Sequence, residues 1–188
     1  MPADTQHNDN EAEILQLLQE ERTFERGFRL LLQTYQERLY WHIRKMVNLH
    51  DYTDEVLQNT FIKIYKGIKK FKGNSKLYTW LYRIATNETI TFMNKVKKQK
   101  TTSLDNEESG LANTLHADSP LDGDEIQAVL EKAIATLPEK QRLVFNMRYF
   151  DDMSYKEISE ILETSIGGLK ASYHHAAKKI ESYIKNRI

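Results

Sequence analysis

Seven glycines and three prolines are all that interrupt this chain of 188 residues. The stretches between them are rich in Leu, Ile, Glu, Gln and Lys, which favour helix, whereas a sheet built on tight turns needs far more breakers. An all-α protein is expected. The length suits one sizeable domain or two small ones.

Apolar spacing then divides the chain. Residues 1–10 read as a frayed end, and from Glu11 a helical pattern of Ile14, Leu15 and Leu18 continues through Phe24, Phe28, Leu31, Leu32 and Tyr35. Gly27 is a weak spot in it, about 1 kcal/mol worse than Ala. Leu39, Ile43, Met46 and Val47 mark the next helix, and His50 and Asp51 a break. A third helix is expected from Thr53, read as its cap, with Asp54 and Glu55 at the positive end of its dipole. Val56, Leu57, Phe61, Ile64, Tyr65 and Ile68 form its inner stripe, which turns Asp54, Glu55, Gln58 and Asn59 outward.

Residues 71–76, Phe-Lys-Gly-Asn-Ser-Lys, carry turn chemistry: Gly73 and Asn74 tolerate positive φ, and Ser75 can cap the next helix. That fourth helix is expected over about 76–97, with Leu77, Trp80, Leu81, Ile84 and Ala85 on its buried side. Residues 101–122 are dominated by Thr, Ser, Asn, Asp and Glu and read as an acidic linker. At about 3.3 Å per residue this tether reaches roughly 70 Å, comparable to two turns of B-DNA.

The last 65 residues read as four short helices. Ile126, Val129, Leu130, Ala133, Ile134 and Leu137 line the first. Pro138, at a first helical position, opens the second, which runs through Leu143, Val144, Met147 and Phe150 to Asp151 and Asp152. Ser154 with Glu157 forms a capping box for the third, and Ser165 caps the fourth. A short helix, a three-residue break and a longer capped helix make a helix-turn-helix pattern. In its last helix Ile166, Leu169, Tyr173, Ala176 and Ile180 share the core face. Gly167, Lys170, Ala171, His174, His175 and Lys178 lie opposite, where Gly167 admits a phosphate closely, the lysines bind it, and Ala171 and the histidines reach base edges.

Net charge is zero only because opposed blocks cancel: residues 1–60 carry six bases and eleven acids, 61–100 eleven and one, 101–125 none and seven, and 126–188 ten and eight. Such segregation points to separate surfaces for separate partners. The block from 61 to 100 also interleaves its cations with Phe61, Tyr65, Phe71, Tyr78, Trp80, Tyr82 and Phe92. Cations neutralise phosphates and flat rings stack on unpaired bases, so this stretch is the main nucleic-acid candidate. Its bland reading, a solvated helix face over an aromatic core, leaves the near absence of acids unexplained.

With those residues in place, the chain resembles a bacterial extracytoplasmic-function (ECF) sigma factor, of the primary-sigma superfamily. Residues 54–61, Asp-Glu-Val-Leu-Gln-Asn-Thr-Phe, resemble the family's polymerase-binding helix. Phe71 to Gly73, then Thr79 to Ala85 and Asn87, resemble the segment that opens and reads the −10 element. Leu137 to Arg142, Ser154 to Ile158 and Ser165 to Lys170 resemble the domain that reads the −35 element. Members usually have Asp near Thr91 and Arg near Asn94, and a recognition helix richer in Arg where this chain has Ser172, His175 and Ala177.

The resemblance implies two helical domains, over 1–100 and 123–188, joined by the linker. It implies docking on core RNA polymerase through Asp54, Glu55, Gln58, Asn59 and Phe61. It assigns the melted −10 element to Phe71, Lys72, Gly73, Asn74, Ser75, Lys76, Trp80, Arg83, Asn87, Thr91 and Lys95. The duplex −35 element falls to Arg142, Ser165, Gly167, Gly168, Lys170, Ala171, His174, His175 and Lys178. An anti-sigma factor is a further implied partner, and polymerase supplies the nucleotidyl transfer.

A stand-alone helix-turn-helix regulator is the alternative; it would have no need of the acid and Gln helix at 54–61. For an enzyme, Glu107 and Glu108 or Asp151 and Asp152 are loop neighbours without a positioned base, and adjacent His174 and His175 make a poor metal pair. No catalytic residue, cofactor or metal is expected. The acidic, polar start of the chain and the lack of a long apolar run predict no signal peptide and no membrane insertion, and the absence of cysteine suits a reducing cytoplasm.

Overall fold

The computed structural model describes residues 4–47, 50–104 and 125–186, and among them it has eight α-helices and no strand. They form two compact units. The first holds α1 (Asp4–Gln19), α2 (Phe24–Val47), α3 (His50–Gly67) and α4 (Leu77–Leu104), with a single 3-10 turn, Ile68–Lys70, after α3. The second holds α5 (Glu125–Ala135), α6 (Glu139–Tyr149), α7 (Tyr155–Leu162) and α8 (Ile166–Lys185).

The all-α reading holds, but the first two helices divide elsewhere than their apolar pattern suggests. Helix α1 starts at Asp4 and ends at Gln19, while Leu39, Ile43 and Val47 belong to the same helix as Phe24 and Leu31. The break lies at Glu20 to Thr23, where the Thr23 hydroxyl donates to the Leu17 carbonyl at 2.7 Å and Gly27 N–H donates to the Thr23 carbonyl at 2.9 Å. Apolar periodicity runs straight across because the two helices bury their stripes against each other. Gly27 is the point of closest approach: a Cβ there would sit 2.8 Å from Leu17 Cβ and 3.0 Å from backbone atoms of Leu17 and Leu18. What reads as a weak spot is what lets α1 pack on α2.

Helix α3 begins at His50, so Thr53 lies inside it and is fully buried instead of capping it. Thr60, Thr79, Thr86 and Thr89 are buried as well. Thr60 and Thr89 turn their hydroxyls back to the carbonyls of Val56 and Ala85, both at 2.7 Å, which lets a β-branched polar side chain serve as core. Ile14, Leu31, Leu39, Ile43, Ile64, Leu77 and Leu81 complete that core with almost no exposure. Helix α4 runs seven residues beyond Lys97, to Leu104, so the first part of the expected linker is helical. The rest of it, 105–124, is outside the described residues.

In the second unit the local signals read correctly. Ser154 and Glu157 form the reciprocal capping box, and Ser165 Oγ accepts from Gly168 N–H at 3.2 Å; such caps are worth about 1 kcal/mol each. Glu163, at φ 52, makes the left-handed turn between α7 and α8. Two assignments shift: Pro138 is the cap before α6, one position earlier than expected, and Ile166 is 42% exposed, not core. The core gathers Ala133, Ile134, Leu137, Ala176 and Ile180 around Phe145, whose ring stacks on Tyr149 at 5.2 Å and Tyr173 at 5.6 Å.

Candidate nucleic-acid interface

The loop between α3 and α4 is suspended from two fixed points. At its start Phe71 N–H donates to the Ile68 carbonyl at 3.0 Å, closing the 3-10 turn, and the Phe71 ring leans on Trp80 with centroids 5.3 Å apart. Trp80 in turn lies against Gly67, where a Cβ would meet the indole at 3.3 Å. At the loop's other end the Leu77 N–H, in the first turn of α4, donates to the carboxylate of Glu11 from α1. Ser75 is half-buried, and the first-turn cap seen here comes from Glu11. Between these points Lys72, Gly73, Asn74 and Lys76 are exposed. Only Gly73 takes positive φ, at 70°; Asn74 does not.

Helix α4 carries the rest of the predicted −10 set on one line. Arg83, Asn87, Thr91 and Lys95 recur every four residues and so share a face. Arg83 is half-buried and the other three are exposed, with Thr91 Oγ1 donating to the Asn87 carbonyl at 2.7 Å. The loop and this face carry the predicted cations in turn along the start and length of α4, but the aromatics are less free than their spacing suggests. Tyr82 is buried against His42 (4.8 Å) and Tyr78 (5.3 Å), Phe92 packs on Tyr52 (5.2 Å), and Trp80 and Phe71 cover each other. Tyr65, expected in the core, is 43% exposed. Lys63 is bound across helices to Glu88, the lone acid of the basic block, so that cation is already engaged.

On the other side of α3, Asp54, Gln58 and Phe61 line an open cleft of about 470 Å³ whose second wall is Phe28, Leu32 and Gln36 of α2. Leu57, Ile62, Tyr65 and Lys66 complete it. Glu55 is exposed and Asn59 half-buried, and neither belongs to this lining. The α2 wall is not apparent from the sequence; its signal there is an apolar stripe on α2 wider than one neighbour can bury. The Tyr65 hydroxyl donates to Glu25 at 3.0 Å, and that bond holds the phenol above its ordinary range.

In the second unit Gly167, Lys170, Ala171, His174, His175 and Lys178 are all exposed along α8, as expected. Ser165 is occupied as the α8 cap, and a Cβ on Gly168 would sit 3.3 Å from its Oγ, so both shape the turn. Arg142 is half-buried on α6, and burial pulls its guanidinium below the ordinary range against the opposing pull of Glu139. Lys170 Nζ and the Arg148 guanidinium flank the Tyr155 ring at 6.0 and 5.7 Å. Arg148, which no sequence motif singles out, also donates to the Met153 carbonyl at 3.2 Å and so fixes the approach to α7.

Comparison with known proteins covers both units. Residues 31–99 match the family model for sigma-70 region 2, and residues 127–180 that for sigma-70 region 4. The ECF RNA polymerase sigma factor SigW of Bacillus subtilis is 31% identical over 172 residues, spanning 85% of this chain and 90% of that protein. The ECF RNA polymerase sigma-E factor of Escherichia coli K12 is 28% identical over 169 residues, 86% and 88% of the two chains. Among solved structures, the sigma factor RpoE in complex with the anti-sigma factor NepR, from Bartonella quintana, superposes with a TM-score of 0.70 at 21% identity, covering 86% of this chain and 98% of that one. CnrH in complex with the cytosolic domain of CnrY gives 0.69 at 17% identity, covering 96% and 100%.

Proposed function

The chain belongs to the ECF RNA polymerase sigma factor family, and from that premise we propose how its surfaces divide the work of promoter recognition. It binds core RNA polymerase and directs it to promoters. Docking uses the cleft between α2 and α3, with Asp54, Gln58 and Phe61 on one wall and Phe28, Leu32 and Gln36 on the other. The observation that carries this assignment is the cleft itself: an open, apolar groove rimmed by an acid and amides fits a partner helix, and a stand-alone DNA reader has no use for it.

The loop 71–76 takes a flipped base of the −10 element. Its exposed lysines hold the flanking phosphates, and the face Arg83, Asn87, Thr91 and Lys95 tracks the strand along α4. Helix α8 enters the major groove of the −35 element, with Lys170 and Lys178 on phosphates and Ala171, His174 and His175 toward base edges. No Arg stands at those base-facing positions, so a bidentate guanine contact does not set the preference there. Two helical domains, the first carried on through α4 to Leu104 and joined to the second by the remainder of the acidic segment, account for reading two separated elements at once.

The chain supplies recognition and strand capture, and polymerase supplies the nucleotidyl transfer. It works in the cytoplasm, where polymerase and chromosome are; no helix among the described residues is long and apolar enough to cross a membrane. An anti-sigma factor is the regulatory partner, a reading supported by the NepR complex of its structural relative.

Pull-down of core polymerase by the full chain tests the docking assignment. The double variant Asp54→Arg with Gln58→Ala, and separately Leu32→Arg on the opposite wall, are expected to lose polymerase while keeping −35 duplex affinity. Undiminished polymerase binding by both would sink the cleft as the docking site. Transcription in vitro from a randomised promoter library, with core polymerase added, reads out role and specificity together.

A further inference from the structure

The start of α4 is held from outside its own neighbourhood. The first-turn N–H groups of a helix have no partner within it, and here one of them, on fully buried Leu77, is taken by the carboxylate of Glu11, 66 residues earlier. A carboxylate at that position also sits at the positive end of the α4 dipole. Glu11 is itself half-buried, and the helix that carries it is firmly mounted. Ile14 and Leu18 of α1 are buried, Thr23 fastens the end of α1 through the Leu17 carbonyl, and Gly27 lets the α1 backbone close on α2.

The same helix borders the other end of the loop. Leu15, Leu18 and Gln19 of α1 line a cleft of about 460 Å³ together with Phe24, Ile68, Lys69 and Phe71. Helix α1 therefore touches the segment where the loop begins and bonds the residue where it ends. The family model for region 2 begins at residue 31, downstream of α1.

We propose that Glu11 is a positioning residue for base capture: its carboxylate on the Leu77 N–H fixes the far hinge of the loop 71–76, and α1 acts as a brace for that loop. The inference rests on the reading of the loop as the base-capture element, and its test separates the two. Full-length holoenzyme carrying Glu11→Ala or Glu11→Gln is compared with the parent on forked promoter DNA with an intact −10 strand and on the same fork with an abasic site at the captured position. The parent is expected to bind the intact fork at least about ten-fold more tightly than the abasic one.

Glu11→Ala is expected to lose most of that ratio while holding core polymerase and −35 duplex within about two-fold of the parent. Glu11→Gln keeps an acceptor oxygen without the charge and should recover part of the ratio, which general loosening of the fold would not produce. An unchanged ratio in Glu11→Ala overturns the proposal, as does an equal loss on both forks or no recovery in Glu11→Gln. A parent that does not distinguish the two forks overturns base capture by the loop instead.

Discussion

His42 Nε2 and Thr86 Oγ1 lie 2.9 Å apart inside the amino-terminal unit, joining α2 to α4 across 44 residues, and both side chains are almost wholly buried. The His42 ring also meets the edge of Tyr82 at 4.8 Å, one turn before Thr86. This polar contact at the back of α4 sets the rotation of the helix, and so which residues it turns outward. Thr86→Val keeps the shape but strips the imidazole of this hydrogen bond. The expected loss is about 1–3 kcal/mol of stability, read from the urea midpoint of the full chain, because a buried polar group without its partner costs more than the bond was worth. Adding His42→Leu should recover part of it; a double variant weaker than both singles would contradict this account.

Two glycines should respond to alanine in opposite directions. At Gly27 the new methyl would lie 2.8 Å from Leu17 Cβ and 3.0 Å from backbone, so Gly27→Ala is expected to destabilise by about 1–3 kcal/mol despite the better helix propensity. At Gly167 nothing lies within 4 Å, so Gly167→Ala should stabilise by up to about 1 kcal/mol. It should nevertheless weaken −35 duplex binding, because the methyl stands where a phosphate would approach. Thermal unfolding and duplex affinity, measured on both variants, check the pair of signs.

What could be read from the sequence depends on the range of the interaction concerned. The caps at Ser154 and Ser165 are settled within three residues of backbone, and both are where the spacing places them. The break between α1 and α2 is hidden because apolar period measures which residues are buried, and Leu18 and Phe24 are buried in one core from two helices. Phe28 and Leu32 are visible as apolar but not as a cleft wall, since that depends on what α3 leaves uncovered. Glu11 reads as one acid in an acidic terminus; only the fold brings it to Leu77. The charge blocks are legible as blocks, yet the Lys63 and Glu88 pair inside the basic one needs two helices side by side.

That pair separates two lysines of the same block. Lys95 is exposed on the Asn87 and Thr91 face, whereas Lys63 is bound to Glu88. Lys95→Gln is expected to flatten the dependence of log affinity on log salt for forked DNA by about 0.7–0.9, the value for one phosphate left without its cation. Lys63→Gln should change the slope by much less. Titrations of fluorescent fork DNA at several salt concentrations make the comparison, and a Lys95→Gln slope equal to the parent's would show that Lys95 holds no phosphate.

Alkaline pH should find a weak point at Tyr35. Burial, reinforced by the negative charge of Glu11 and opposed by Arg38, pushes its phenol from 10.0 up to about 12. The folded chain then keeps a proton that the unfolded chain releases above about pH 10, so unfolding is favoured as pH rises. The stability held by the neutral phenol is complete below about pH 10 and is lost progressively toward about pH 12, on the order of 2 kcal/mol in all. Tyr35→Phe cannot ionise. Lysines titrate in the same range in both proteins, so the informative quantity is the difference in urea midpoint between parent and Tyr35→Phe across about pH 9 to 12. The parent is expected to lose ground to the variant through that window; a constant difference would mean the phenol titrates alike in both states.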